Sequence, residues 1–316
     1  MVKMCEFSRM QNSEHAILRL AASKYLYSRA KKLRNFEIFL NVVVMGVLTL
    51  LSIFLNSDFF VKLFSFQKID ISSWVAVSSI LVITLSKLLI ADRVDFTKEQ
   101  AAKIQEQFDR RLYGLVWNNT LLGTEPRLEI VNRYGKRFLR KFGDSKLRDW
   151  YPVFSNDLDV SFQGIVCQSS CLSWDFDLRE RVQTAIVIIG ILVFGVALVA
   201  AVALQLSVEA AVVNLVALLG PLVGLGYSIY KENSRSIENS KRLLDCLAGG
   251  VDNVNPNDRG EVVSLLVEIQ GQLYVKRKQD WPIPYLVYNF FRDGQEADMK
   301  YSAKELSIKF SGAGRS

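Results

Sequence analysis

The sequence predicts an all-α integral membrane protein: four transmembrane helices in two hairpins, with a mainly helical cytoplasmic domain built from three segments. Three observations carry this. The 316 residues are 50% hydrophobic and only 22% charged, with a mean hydropathy of +0.17. The apolar residues gather in four blocks, roughly 36–55, 74–91, 184–206 and 211–230, each close to the ~20 residues a helix needs to cross a bilayer. Few stretches alternate with the two-residue period of a strand.

Charge gives the orientation. Lys and Arg number 8 in residues 1–35, 2 in 56–73, 15 in 92–182, none in 207–210 and 13 in 231–316. Basic residues mark the cytoplasmic side, so both termini and the middle segment are expected on the cytoplasmic side of a membrane, in a multi-pass arrangement. The segments are 1–35, a basic amphipathic lead helix; 36–91, the first hairpin; 92–183, a helical segment; 184–230, the second hairpin; and 231–316, the C-terminal helical segment. Residues 1–35 carry 8 basic against 2 acidic groups, whereas 92–182 carry 15 against 14. That balance suits a chain lying against anionic lipid and not one that binds DNA or RNA.

In order along the chain, Ser13 is placed to cap a helix with Glu14 in its first turn. Ile17, Leu18, Ala21, Ala22, Tyr25, Leu26 and Leu33 then recur at helical spacing, giving an interfacial helix or a packing helix of the cytoplasmic domain. A helix is expected over 92–118, with Val94, Ala101, Ile104, Phe108 and Leu112 on one face. Gly123, Pro126 and Gly135 are expected to break the next stretch. Helices are expected over 160–171 and 174–182, leading into the third span. Helix continues over 231–247, a loop follows at 249–258, and a strongly periodic helix covers 259–278. Asp280-Trp281-Pro282 ends it, before short helices at 285–291 and 296–308.

Several function classes are excluded by what is missing. The four cysteines are scattered and His15 is the single histidine, so neither a Cys/His zinc site nor a disulfide framework is expected. There is no GxSxG, HExxH, GxGxxG or GxxxxGK[ST] in the chain, and no cofactor, metal or enzyme activity is expected. No Asp, Glu or Arg lies deep in a span, which disfavours an ion-coupled transporter.

Two sets of residues are candidates for function. Asn41, Thr49, Ser52, Thr84 and Asn214 are polar groups within the spans, and Asn41 stands out because a free amide in lipid is costly. Gly220, Pro221 and Gly224 combine a GxxxG pair with a kink-forming proline; with them we class close packing, gating and assembly into a homo-oligomer. For a phosphate-rich ligand, Arg133, Lys136, Arg137, Arg140 and Lys141 precede Trp150 and Tyr151, and Lys276, Arg277 and Lys278 precede Trp281. Basic groups suit phosphate oxygens and aromatic rings can stack bases.

Several strings in fixed order carry a resemblance. They are Gln11-Asn12 with Leu20-Ala21-Ala22; Ile104-Gln105-Glu106-Gln107-Phe108-Asp109 with Leu115-Val116-Trp117-Asn118; and Asp149-Trp150-Tyr151-Pro152. Cys167-Gln168 with Trp174-Asp175 and Leu178-Arg179 follow, then Pro282-Ile283-Pro284 with Tyr288, Arg292 and Glu296. Over roughly residues 9–305 the chain resembles the SMODS-associated four-transmembrane effectors of bacterial CBASS anti-phage systems, departing from them at Val116 and Cys171. The resemblance implies a pore-forming membrane effector functionally linked to a nucleotide synthetase. Its cytoplasmic part would respond to a cyclic di- or oligonucleotide, permeabilise the membrane, and so kill or arrest the infected cell. The alternative reading is a non-pore membrane receptor or scaffold that anchors a partner-binding domain.

Overall fold

The computed structural model describes residues 6–56, 58–65, 67, 69–152, 158–203, 208–255 and 258–283. The short helices expected at 285–291 and 296–308 lie outside them. Every described element is helical: α1 (Glu6–Gln11), α2 (Glu14–Ile38), α3 (Met45–Asn56), α4 (Asp58–Phe64), α5 (Ser72–Ser86), α6 (Asp92–Leu112), α7 (Asn119–Leu122), α8 (Leu128–Phe142), α9 (Val160–Ala203), α10 (Val208–Asn253) and α11 (Arg259–Gln279). Two π-helical stretches, Phe39–Val44 and Lys87–Ala91, join α2 to α3 and α5 to α6.

Among the described residues three runs are long and apolar enough to cross a membrane: Glu14–Ser52, Ser73–Leu112 and Val160–Val199. Their side chains face outward; Ile191, Leu192 and Val199 are all more than 60% exposed. So broad an apolar surface needs a lipid or protein cover. The fourth apolar block falls within α10, whose backbone continues unbroken through it.

The chain divides into two compact units. An apolar unit comprises Lys32–Val94 and Val182–Ser234, and a packed unit takes the remaining segments. In the apolar unit, the Asn41 side chain donates to the Glu37 carbonyl at 2.8 Å and to Ser86 Oγ at 3.1 Å. The amide whose cost in lipid singled it out is therefore satisfied, partly along its own helix and partly across the hairpin.

The packed unit has a continuous core in which Leu20 of α2, Phe108 of α6, Leu172 of α9, Leu243 of α10 and Leu266 of α11 meet. Full burial of each such side chain contributes about 1.5–3 kcal/mol. The lead helix is thus a packing helix, with Ile17, Ala21, Ala22 and Leu26 buried. Ser13 Oγ accepts from the Ala16 amide at 3.3 Å, as its capping position implies. The two helices expected at 160–171 and 174–182 form one, running without interruption into the apolar block.

Two glycines expected to punctuate the chain do something else. Gly135 lies inside α8, where an added Cβ would sit 2.5 Å from Leu18 Cδ1 and 2.7 Å from the Leu18 carbonyl oxygen. Its missing side chain lets α8 approach the backbone of α2. Gly250 lies inside α10 against Leu265, so the helix extends to Asn253 where a loop was expected. Gly135→Ala is expected to cost about 1–3 kcal/mol, because a backbone oxygen cannot move aside as a rotamer can. Chemical denaturation of the purified protein measures it, and an unchanged midpoint would rule out the tight approach.

Candidate functional site

The site is assembled by α6. Glu106 and Asp109 stand one helical turn apart, on a helix whose apolar face is already committed to the core, and both are fully buried. Burial of two carboxylates demands partners. Asp109 accepts from Tyr151 Oη at 2.8 Å, Arg277 Nη1 at 2.5 Å and Gln270 Nε2 at 3.3 Å. Glu106 accepts from Arg110 Nε at 2.6 Å and Gln270 Nε2 at 2.7 Å. Gln168 of α9 donates to Gln270 Oε1 at 3.0 Å and to the Leu266 carbonyl at 2.9 Å. One polar network thus joins α6, α9 and α11 through the middle of the core.

Electrostatics follow from that burial. Desolvation lifts the Glu106 carboxyl to about 7; the Arg277 and Arg110 charges pull it down and the neighbouring Asp109 pushes it up. Burial, and then the Asp109 charge, raise the Tyr151 hydroxyl well above its ordinary value, so it stays a neutral donor. Burial works against the Arg277 charge, but Asp109 outweighs it and the guanidinium is held firmly protonated.

Two of the quoted strings interlock at the edge of this network. The Gln11 side-chain amide bonds the Tyr151 backbone both ways, donating to its carbonyl at 3.2 Å and accepting from its amide at 2.9 Å. Asn12 treats Asp149 similarly, donating to Oδ1 at 2.8 Å and accepting from the amide at 2.9 Å. Asp149 has φ of 47°, a left-handed conformation that aspartate adopts more readily than most residues and that these bonds hold in place.

A second cluster closes the C-terminal end of α11. Lys276 is bonded to both Asp175 and Asp280. Arg179 reaches the same two carboxylates at 2.8 and 3.0 Å. Ser236 of α10 donates to Asp280 at 2.8 Å, and Ser240 to Asp175 at 3.4 Å. Burial alone would raise Asp175, but Arg179 and Lys276 hold it well below the usual carboxylate range. Nearby Lys31 is pulled down to about 8, first by burial and then by Arg179, with Asp175 opposing.

The residues expected to meet a phosphate ligand therefore separate into three places. Arg133, Lys136, Arg137, Arg140 and Lys141 share the exposed face of α8. Arg137 lies over the Tyr134 ring at 5.8 Å and Lys141 over Phe142 at 5.1 Å. Trp150 is half-buried beneath Lys24, 4.5 Å from its ring centre, while Tyr151 is buried, with its ring packed on Phe108. Lys276 and Arg277 are enclosed by carboxylates, so in this conformation their charge is already spent within the protein.

Among the other candidates, Ser52 is buried and Thr84 exposed. Gly220 and Gly224 meet nothing within 4 Å at their Cβ positions, so the expected close approach is not made within the described part of the chain. The side chains of Thr49, Asn214 and Pro221 are outside the described residues. Residues 167, 171 and 246 are free thiols, and the described residues hold no cluster of metal-ligating side chains. Glu106, Asp109, Asp175 and Arg179 stand in the strings that carry the resemblance but had no site role there, and Gln270 stands in none of them. The available signal was the position of the two α6 acids within a turn of Phe108, on a helix with an otherwise apolar face.

Comparison with known proteins agrees with this layout. The family model described as the SMODS-associating 4TM effector domain matches residues 5–306. A Bacillus cereus (strain VD146) protein described as a "probable CBASS effector molecule" is 28% identical over 186 residues, 58% of this chain and 58% of the relative. The alignment thus spans a little over half the length of that relative. No solved structure matches. With the family model covering nearly the whole length, the chain belongs to the SMODS-associating 4TM effector family.

Proposed function

We propose that this chain is a membrane effector of CBASS-type anti-phage defence that permeabilises the bacterial inner membrane in response to a cyclic di- or oligonucleotide. Four spans, 36–55, 74–91, 184–206 and 211–230, would cross the bilayer, with both termini and the packed unit in the cytoplasm. The observation that carries the reading is helical continuity. α9 and α10 each run from the packed core into an apolar block with no intervening loop, and α6 follows α5 through a single π-helical stretch. A rearrangement of the core would thereby be delivered to the spans by rigid elements. Family membership and the description of the B. cereus relative support the biological role.

Permeabilisation is assigned to a homo-oligomer, because four spans with no charged lumen leave little room for water within one copy. The nucleotide phosphates are assigned to the exposed face of α8, through Arg133, Arg137 and Arg140. Nothing in this scheme calls for a catalytic group, a metal or a cofactor.

Dye efflux from anionic liposomes containing the purified protein tests the proposal. Efflux is expected with one member of a panel of cyclic di- and oligonucleotides and not without it. An Arg133→Ala/Arg137→Ala/Arg140→Ala variant should need at least tenfold more of that nucleotide. No efflux with any nucleotide would leave the chain as a receptor or scaffold. Unchanged nucleotide dependence in the triple variant would move the ligand off α8.

A further inference from the structure

We propose that the last turn of α11 is a latch: Lys276 and Asp280 tie α9 to α10 in the resting protein, and release of that tie switches the effector on. The inference rests on the membrane-effector reading and adds the contact that restrains it.

Three observations converge on this turn. First, its position is special. Lys276 and Asp280 bond Asp175 and Arg179 of α9 and Ser236 of α10, and the backbone between them is held by Lys98 of α6, which donates to the Gln279 carbonyl at 3.3 Å. A single helix end therefore touches α6, α9 and α10, three of the four packed-unit helices that lead to apolar blocks. Asp175 precedes the third block by nine residues, and Ser236 follows the fourth by six.

Second, the tie is ionic. Hydrophobic side chains of similar volume would hold α9 to α10 at least as firmly. Charged pairs instead depend on position, and a displacement of a few ångströms exchanges them for water. Such a contact is suited to being broken as a unit.

Third, the seat is imperfect. The Trp281 side chain is 5% exposed, yet its Nε1–H has no acceptor among the described residues. With no acceptor among the described residues, this buried donor carries a penalty in the closed state, and that penalty disappears when the segment lifts away. The closed state is thus held by the ionic tie against a built-in cost.

A purely structural brace and a latch differ in the sign of what happens when they are weakened. Loss of a brace lowers stability and activity together, whereas loss of a latch raises resting activity. Lys276→Met removes the bridging charge and keeps the length of the side chain. The Ser236→Ala/Ser240→Ala pair loosens only the α10 side and leaves no charge unpaired. Each variant is compared with the parent for growth arrest on induction in uninfected cells and for nucleotide-free dye efflux from liposomes. The latch predicts at least tenfold greater basal efflux for Lys276→Met and about threefold for the serine pair, with arrest at lower inducer. A folded Lys276→Met protein with the parent's basal efflux and toxicity would overturn it. If Lys276→Met does not fold, the serine pair decides, and parent-like behaviour there overturns the latch equally. Failure of the nucleotide reading appears separately, as a parent protein that no nucleotide activates, whatever the variants do at rest.

Discussion

Asp109→Leu is expected to destabilise the packed unit by about 3–5 kcal/mol, the cost of breaking a buried ion pair by removing one partner. The size follows from what is left behind. Among the described residues Glu106, 3.9 Å away, is the carboxylate left to Arg277, while Tyr151 Oη would lose the Asp109 acceptor, now at 2.8 Å. With about 2–4 °C lost per kcal/mol for a unit of this size, the melting temperature should fall by about 10 °C in detergent. The control is Asp109→Leu combined with Arg277→Met, which removes both charges and should regain much of the loss. If the single variant melts with the parent, the Asp109–Arg277 pair is not a structural centre.

Stability is expected to fall by about 3 kcal/mol as pH rises from about 4.5 to about 7. The cause is Glu106, whose carboxyl is lifted to about 7 in the fold from an ordinary 4.5, chiefly by burial. Between those values the folded protein keeps a proton that the unfolded chain has released, so rising pH favours unfolding. Above 7 both states are ionised and the loss is complete. Asp175 acts with the opposite sign but outside this window, because its depressed value lies below the ordinary carboxylate range. Lys31, pulled down to about 8, makes stability rise again only above that pH. Urea unfolding at pH 5, 6, 7 and 8 should trace the fall, and Glu106→Gln should flatten it. A variant with the parent's slope would assign the titration to another group.

Much of the architecture was legible because it rests on periods longer than local irregularities. The apolar blocks, the buried face of α6 and the start of α11 at Arg259 all follow from residue spacing, and α11 ends within a residue of the expected boundary. What was not legible depended on partners distant in sequence. Gly135 reads as a breaker until Leu18 is known to lie against it. Lys276 and Arg277 read as a phosphate-binding pair because a basic run next to tryptophan carries no sign of Asp175 or Asp109, 101 and 168 residues away. Conversely, the short strings Gln11-Asn12 and Asp149-Trp150-Tyr151 were visible, but that each is the other's hydrogen-bonding partner was not.

The wide spacing of these partners also orders the birth of the protein. Bonds across 140, 161, 164 and 168 residues close the packed unit, so it cannot condense until both apolar hairpins have been made. During synthesis Glu106 and Asp109 must wait for Gln270 and Arg277, with the whole second apolar hairpin made in the interval. Such non-local closure is slow. A newly made copy therefore passes through a period in which its hairpins exist and the proposed α11 latch has not yet been made. A cell that carries this effector faces its own unfinished chains before it ever faces a phage.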